Sequence, residues 1–162
     1  YQSFLTHLLC GDVEKFTESF GQILAQTISI YDVAHNPEAF YHGFMLGLAA
    51  GLDQKRYEVK SNRESGAGRY DIAIIPKDVL GVGIILEIKS ISPPRASKQK
   101  SAEFLDTILA EEAQKALEQI NRNQYIFELT QRGITTIVKI GLAFSGKNFR
   151  VASEKDREEK LC

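Results

Sequence analysis

The chain has 162 residues, a mass of 18.1 kDa, and 43% apolar against 25% charged residues. That size favours one domain able to bury about 70% of its unfolded surface, and that composition excludes wholesale disorder. Twenty Lys and Arg against 21 Asp and Glu leave a net charge of −1, so global basicity does not advertise a nucleic-acid binder, although a local basic cleft stays open.

The longest apolar stretch, 43–52, is about half a membrane span and carries three glycines, which speaks against a membrane protein. The N-terminus has no basic region ahead of an apolar core and cleavage site. Cys10 and Cys162 are too few for a disulfide scaffold or a thiolate zinc site, so a reducing, cytoplasmic setting fits. A chain that starts at Tyr1 rather than Met reads as part of something longer.

In chain order, Asp12 is a fitting N-cap for a helix over 13–28, where Val13, Phe16, Phe20, Ile23, Leu24 and Thr27 recur at helical spacing. A second helix is predicted from Pro37, in its first position, to about residue 52, with Gly43 and Gly47 suggesting close approach to a neighbouring element. Strands are predicted over 56–60, 70–75 and 82–90, with a glycine-bearing turn over 62–68. A polar, proline-bearing loop over 91–100 follows, in which Lys98 and Lys100 read as a solvated run. A long helix over 102–121 carries Leu105, Ile108, Ala113, Leu117 and Ile120 on one side, and 125–129 continues as helix towards a terminator at Gly133. A β-rich run over 134–144 and a short strand over 149–152 precede a charged, solvated tail, 153–162. This order predicts a mixed α/β or α+β domain over 36–152, behind an N-terminal helical extension over 1–35.

Two charges stand where an apolar strand should not have them. Gly83-Ile84-Ile85-Leu86 has the continuous apolar character of a strand covered on both faces, and it runs directly into Glu87-Ile88-Lys89. Period-2 geometry puts Glu87 and Lys89 on one face. If 70–75 and 82–90 form a hairpin centred near Val79, Asp71 falls opposite Glu87, with Cβ atoms about 5 Å apart. Two like charges at that distance call for a cation, and paired carboxylates with a backbone carbonyl and water suit Mg²⁺ or Mn²⁺. Lys89 could then orient a water or stabilise charge on a phosphoryl oxygen. The plainer alternative is a salt-bridged Glu/Lys pair at a strand end.

These residues, together with Phe40-Tyr41-His42-Gly43, Ser61-Asn62-Arg63-Glu64-Ser65-Gly66, Gly68-Arg69-Tyr70-Asp71 and Ala143-Phe144-Ser145-Gly146-Lys147, resemble the PD-(D/E)XK nuclease superfamily over roughly residues 10–152. The resemblance is closer still to its branch found C-terminal to an AAA-ATPase-like domain. It implies a restriction-endonuclease-like core with a central mixed β-sheet flanked by helices. It implies Asp71, Glu87 and the main-chain carbonyl of Ile88 as ligands to Mg²⁺, with Mn²⁺ as substitute, and Lys89 as catalytic. It implies hydrolysis of nucleic acid, DNA rather than RNA, an ATPase-like domain upstream and a homodimer. Tyr70 stands where the superfamily's name has proline, and no ATPase phosphate loop is present.

Further candidates carry two readings each. Glu38 and His42 share a helix face: Glu38 as a further carboxylate at the metal and His42 against substrate, or both as a surface pair. Gln119 and Tyr125 compare with the Gln…Tyr motif of several branches, where both line the active site, or form a polar helix face with Tyr on the core. Arg63, Ser65 and Arg69, beside Gly66 and Gly68, suit contacts to a substrate backbone, or are a plain turn with solvated arginines. The competing reading of the whole is a catalytically idle module that binds nucleic acid or protein on a nuclease-like fold.

Overall fold

In the computed structural model, residues 2–29, 37–92 and 102–157 are described. Part of the expected N-terminal extension (30–35), most of the 91–100 loop with Lys98 and Lys100, and 158–162 of the expected tail lie outside the described residues.

Amphipathic periodicity builds the first layer. Helix α1 spans Gln2–Leu9, an element the periodicity had not suggested, and α2 spans Val13–Thr27, capped by Asp12, whose side chain accepts from Lys15 N–H. Its buried residues Phe16, Phe20 and Leu24 recur at the expected four-residue spacing. Helix α3, Pro37–Ala49, buries Tyr41, Met45 and Ala49. Gly43 and Gly47 therefore lie on its opposite face, exposed, and a Cβ added at either would meet nothing within 4 Å. Their expected close approach to a neighbour is not found.

Five strands follow: β1 Tyr57–Ser65, β2 Gly68–Pro76, β3 Val82–Ser90, β4 Thr136–Ser145 and β5 Asn148–Arg157, ordered β1-β2-β3-β4-β5 in one sheet. The sheet is mixed: β3 and β4 run parallel and the other pairs antiparallel. The parallel step needs a crossover, supplied by α4, Ala102–Arg122, and α5, Phe127–Gln131. Strand alternation divides the layers. Ile84, Leu86 and Ile88 of β3 join the cluster built with α1, α2 and α3, while Ile85 joins Ile120 and Leu129 on the side of α4 and α5. The sheet is thus covered on both faces, as the apolar run in β3 required. No described helix is long and apolar enough to cross a membrane.

Two expectations are corrected here. The glycine-bearing turn expected over 62–68 shrinks to Gly66 and Ala67, because Ser65 already pairs with Gly68 and the polar residues before it belong to an edge strand. The tail expected from residue 153 is strand as far as Arg157, because its charges serve a buried lysine: Lys139 Nζ contacts Asp156 Oδ2 at 2.8 Å, Glu154 Oε1 at 3.0 Å and Asn121 Oδ1 at 2.7 Å.

The segments that carry the family resemblance touch one another. Tyr41 stacks on Phe144 with centroids 4.2 Å apart, and its hydroxyl donates to the Gly146 carbonyl at 2.5 Å. On the other face α4 lies directly on Gly141, the β4 residue paired with Glu87. A Cβ there would run into the Ala113 carbonyl oxygen and stand 2.7 Å from the Leu117 nitrogen. Both obstacles are backbone, so side-chain repacking cannot relieve the clash. Gly141→Ala is expected to cost about 1–3 kcal/mol, read as a lower denaturant midpoint with an unchanged m-value; an unchanged midpoint would refute this contact.

Candidate active site

Strands β2 and β3 are nine residues each, yet they pair over three steps: Ile72 with Leu86, Ala73 with Ile85 and Ile74 with Ile84. This is the register expected from a hairpin centred near Val79, and it ends one step short of Asp71 and Glu87. Beyond it β2 stays with β1 as far as Gly68, and β3 stays with β4 as far as Ser90. The sheet forks, and the two carboxylates stand at the root of the fork.

The fork interrupts backbone pairing, and Asp71 mends one of the gaps. A continued ladder would place Tyr70 opposite Ile88; instead the Ile88 N–H donates to Asp71 Oδ2 at 2.7 Å. N–H and C=O of one strand residue point to the same side, so the Ile88 carbonyl also opens on the fork. Glu87 and Lys89 share the α4 face with Ile85.

Glu87 is only 3% exposed. Its Oε1 accepts from Gln119 Nε2 at 2.5 Å and from Lys89 Nζ at 3.2 Å, whereas its Oε2 is buried without a hydrogen-bond partner. Burial, and then the charge of Asp71, push Glu87 up to about 7 against the pull of Lys89. Burial likewise raises Asp71, opposed by the Ile88 N–H and the charges of His42 and Lys89. The second hydrogen bond of the Gln119 amide goes to the Tyr125 hydroxyl at 3.2 Å, which also accepts from Asn123 Nδ2 at 3.0 Å. A chain of donors thus holds one oxygen of Glu87 and leaves the other free.

That donor set fits a hard divalent cation: an orphaned buried carboxylate oxygen, a second carboxylate of raised pKa, and a main-chain carbonyl opening on the same space. Among the described residues no group of three or more His, Cys, Asp or Glu gathers for a metal, so a cation here would rest on two carboxylates, backbone and water or substrate. Glu38, exposed in the first turn of α3, is near enough for its charge to add to the upward push on Glu87.

The other expected residues divide. Tyr125 is buried, and with both amides on its hydroxyl it faces the protein rather than open solvent. His42 is half-buried with Nε2 turned inward, 3.2 Å from the Asp71 carbonyl. Ser65 is buried, its hydroxyl donating to the Tyr125 carbonyl at 2.9 Å and accepting from the Glu128 N–H, so it is not available to a substrate backbone. Arg63 and Arg69 are exposed and line, with Asn62, Glu64 and Glu128, a polar hollow of about 450 Å³. Two residues escaped the sequence reading. Gly141 lets α4 approach closely, and Asn123 orients Tyr125 while its carbonyl accepts the Ala67 N–H at 2.8 Å, tying the β1–β2 hairpin tip to the end of α4. Neither carries a signature of its own, since each acts through a partner distant in sequence.

The raised carboxylate has a consequence for stability. Folded, Glu87 keeps its proton up to about pH 7; unfolded, only to its ordinary 4.5. Between those values the folded chain binds the extra proton, so stability falls as pH rises, and the full cost, on the order of 3 kcal/mol, stands above pH 7. Glu87→Gln keeps the shape without the charge. In chelator at pH 8 it is expected to melt several degrees above the wild type, with the gain disappearing as pH falls towards 4.5; a variant less stable at pH 8 would overturn this account.

A family model described as the PD-(D/E)XK nuclease superfamily matches residues 36–154. No curated protein matches the chain. Among solved structures, one titled "Crystal structure of SSO0001" is similar over 76% of this chain and 53% of that chain, at 13% identity and a TM-score of 0.28. The chain thus spans about half the length of that protein, and a likeness at that score carries no argument. The mixed five-stranded sheet packed with helices is consistent with a restriction-endonuclease-like core. With the family model matched over most of its length, the chain belongs to the PD-(D/E)XK nuclease superfamily.

Proposed function

We propose that this chain is a Mg²⁺-dependent phosphodiesterase, a nuclease that hydrolyses nucleic-acid phosphodiester bonds, with DNA as the favoured substrate. The observation that supports it most is the buried Asp71–Glu87 pair, raised in pKa and with Glu87 Oε2 unpartnered. Asp71, Glu87 and the Ile88 carbonyl would hold the ion, with Glu38 reaching it through water. A bound divalent ion supplies Lewis-acid polarisation of the phosphoryl oxygen and lowers the pKa of a water.

The chain's own groups do the rest. Lys89, with its ammonium 3.2 Å from Glu87 Oε1 and partly exposed, would offer positive charge to a phosphoryl oxygen and orient the attacking water. Gln119 keeps Glu87 Oε1 occupied, so that Oε2 would be the oxygen left to hold the ion, and Tyr125 steadies Gln119. Arg63 and Arg69 would grip backbone phosphates on the hairpin beside Asp71. Ser65 is left out, its hydroxyl being engaged within the protein. An upstream ATPase-like domain and a homodimer belong to the same proposal, drawn from the resemblance to the ATPase-associated branch.

Calorimetry with Mn²⁺ tests the site: the wild type is expected to bind and Glu87→Ala to lose binding. A blank for the folded wild type, with and without nucleic acid, would overturn the reading. Lys89→Ala is expected to keep metal binding and lose about 100-fold or more in cleavage rate. A wild type that binds metal and nucleic acid but cuts no faster than this variant would be the idle module instead. Nucleic-acid affinity is expected to fall linearly on a log–log plot against salt, and Arg63→Ala and Arg69→Ala each to reduce the slope by about 1; unchanged slopes would remove the hairpin from the interface.

A further inference from the structure

The carbonyl of Asp71 is left stranded by a second break, on the side of β2 away from the fork. Because the N–H and C=O of Ile72 serve the β3 side of the strand, those of Asp71 point towards β1. There the β1–β2 ladder runs from Tyr57 and Pro76 to Ser65 and Gly68 with one step missing, the step between Asn62 and Asp71. Asn62 stands at φ 51°, in the left-handed region, which takes its backbone out of the extended ladder. In place of that backbone partner the carbonyl meets an imidazole from the opposite layer: His42 Nε2, from α3, lies 3.2 Å from Asp71 O, 3.1 Å from Ser61 Oγ and 3.5 Å from Asn62 Nδ2. A carbonyl can only accept, so its hydrogen bond to Nε2 requires the tautomer with the proton there; Ser61 Oγ is compatible with that tautomer, and Asn62 Nδ2, itself a donor, is served by Ser61 Oγ instead.

We propose that His42 is a positioning residue: by donating to the Asp71 main-chain carbonyl where the β1–β2 ladder breaks, it sets the turn of the Asp71 backbone that aims its carboxylate into the fork. The helix face it shares with Glu38 suggested a substrate contact, but its bonding nitrogen faces the strands. Two complementary repairs meet at Asp71. The residue stands between two backbone gaps, one at Ile88 towards β3 and one at its own carbonyl towards β1. Its own carboxylate closes the gap towards β3 by accepting from Ile88, and His42 closes the gap towards β1. With the imidazole gone, the Asp71 carbonyl must turn to find another donor, and the carboxylate on the same residue turns with it. A donor of similar reach can replace the imidazole, whereas a ring of similar size without a donor cannot.

The test has two arms on the full chain. His42→Phe keeps the bulk and removes the donor; His42→Gln restores an N–H at about the reach of Nε2. In the first arm, amide hydrogen exchange is followed without metal at Ile88, whose N–H depends on Asp71 Oδ2, with Ile84 in the intact ladder as internal control. Exchange at Ile88 is expected to quicken about ten-fold or more in His42→Phe and return to the wild-type rate in His42→Gln, with Ile84 unchanged. Equal protection of Ile88 in the wild type and His42→Phe overturns the proposal, as does a His42→Gln variant as fast as His42→Phe. General loosening, with Ile84 quickening equally, also overturns it, since that is packing rather than positioning. The second arm rests on the metal-site reading: Mn²⁺ affinity is expected to fall about ten-fold in His42→Phe and recover in His42→Gln, as for partners that orient a metal ligand. Failure of the wild type to bind Mn²⁺ would defeat the proposed function alone, because the exchange result decides the role of His42 without it.

Discussion

Burying Glu87 beside Asp71 costs free energy at neutral pH, and the neighbouring groups offset only part of it. A carboxylate taken out of water needs hydrogen bonds or a counter-charge, and a second carboxylate next to it makes ionisation harder still. Lys89 and Gln119 compensate one oxygen of Glu87, Ile88 compensates one oxygen of Asp71, and Glu87 Oε2 is left with nothing. A fold selected for stability alone would have another apolar residue at 87, continuing Ile84, Ile85 and Leu86. The unmet electrostatic demand is what a divalent cation would satisfy.

The fork creates the room for that demand. In a regular five-stranded sheet, β2 and β3 would pair throughout, and Asp71 and Glu87 would be one more opposed pair on a covered face. Their early divergence exposes the Ile88 N–H that Asp71 then engages, and it opens the Ile88 carbonyl to the same space. Gly141 matters for a related reason. With no side chain on the strand beside Glu87, helix α4 settles against the sheet close enough for Gln119, about one turn beyond Ala116, to reach Glu87 Oε1. Packing and chemistry meet at one register position, the Glu87–Gly141 pair of β3 and β4.

Much of this was legible in the sequence, for identifiable reasons. The β2–β3 register could be read because a hairpin's facing pairs follow from its turn, and the odd face of Glu87 and Lys89 because strand alternation is strict. The helices α2 and α4 followed from periodicity, and α3 from Pro37 in its first position. Other features depended on contacts that no local pattern encodes. Asn62 to Ser65 looked like a turn because edge-strand residues are polar, as turn residues are. Residues 153–157 looked like a tail because the buried Lys139 they serve lies on a different strand. Gly43 and Gly47 looked like a packing seam, but the buried stripe of α3 runs through Tyr41, Met45 and Ala49. Ser65 looked available to substrate because its partner, the Tyr125 carbonyl, is 60 residues away.

The two carboxylates are held from opposite layers, which bears on how the site would behave as a unit. Asp71 is steadied from α3 through His42, on the side of the N-terminal helices, and Glu87 from α4 through Gln119, Tyr125 and Asn123. The sheet between them is pinned at the far end of the hairpin, where Ala67 N–H meets the Asn123 carbonyl and Ser65 meets the Tyr125 carbonyl. Asn123 therefore belongs both to the support of Glu87 and to the clasp on the strand that carries Asp71. A displacement of the hairpin tip would disturb both carboxylates together, so the spacing of the pair is a property of the docked hairpin and not of either side chain alone. This would give Arg63 and Arg69 more than the gripping role proposed for them: they stand on the element whose seating sets the geometry of the carboxylates, so whatever engages them bears on that seating.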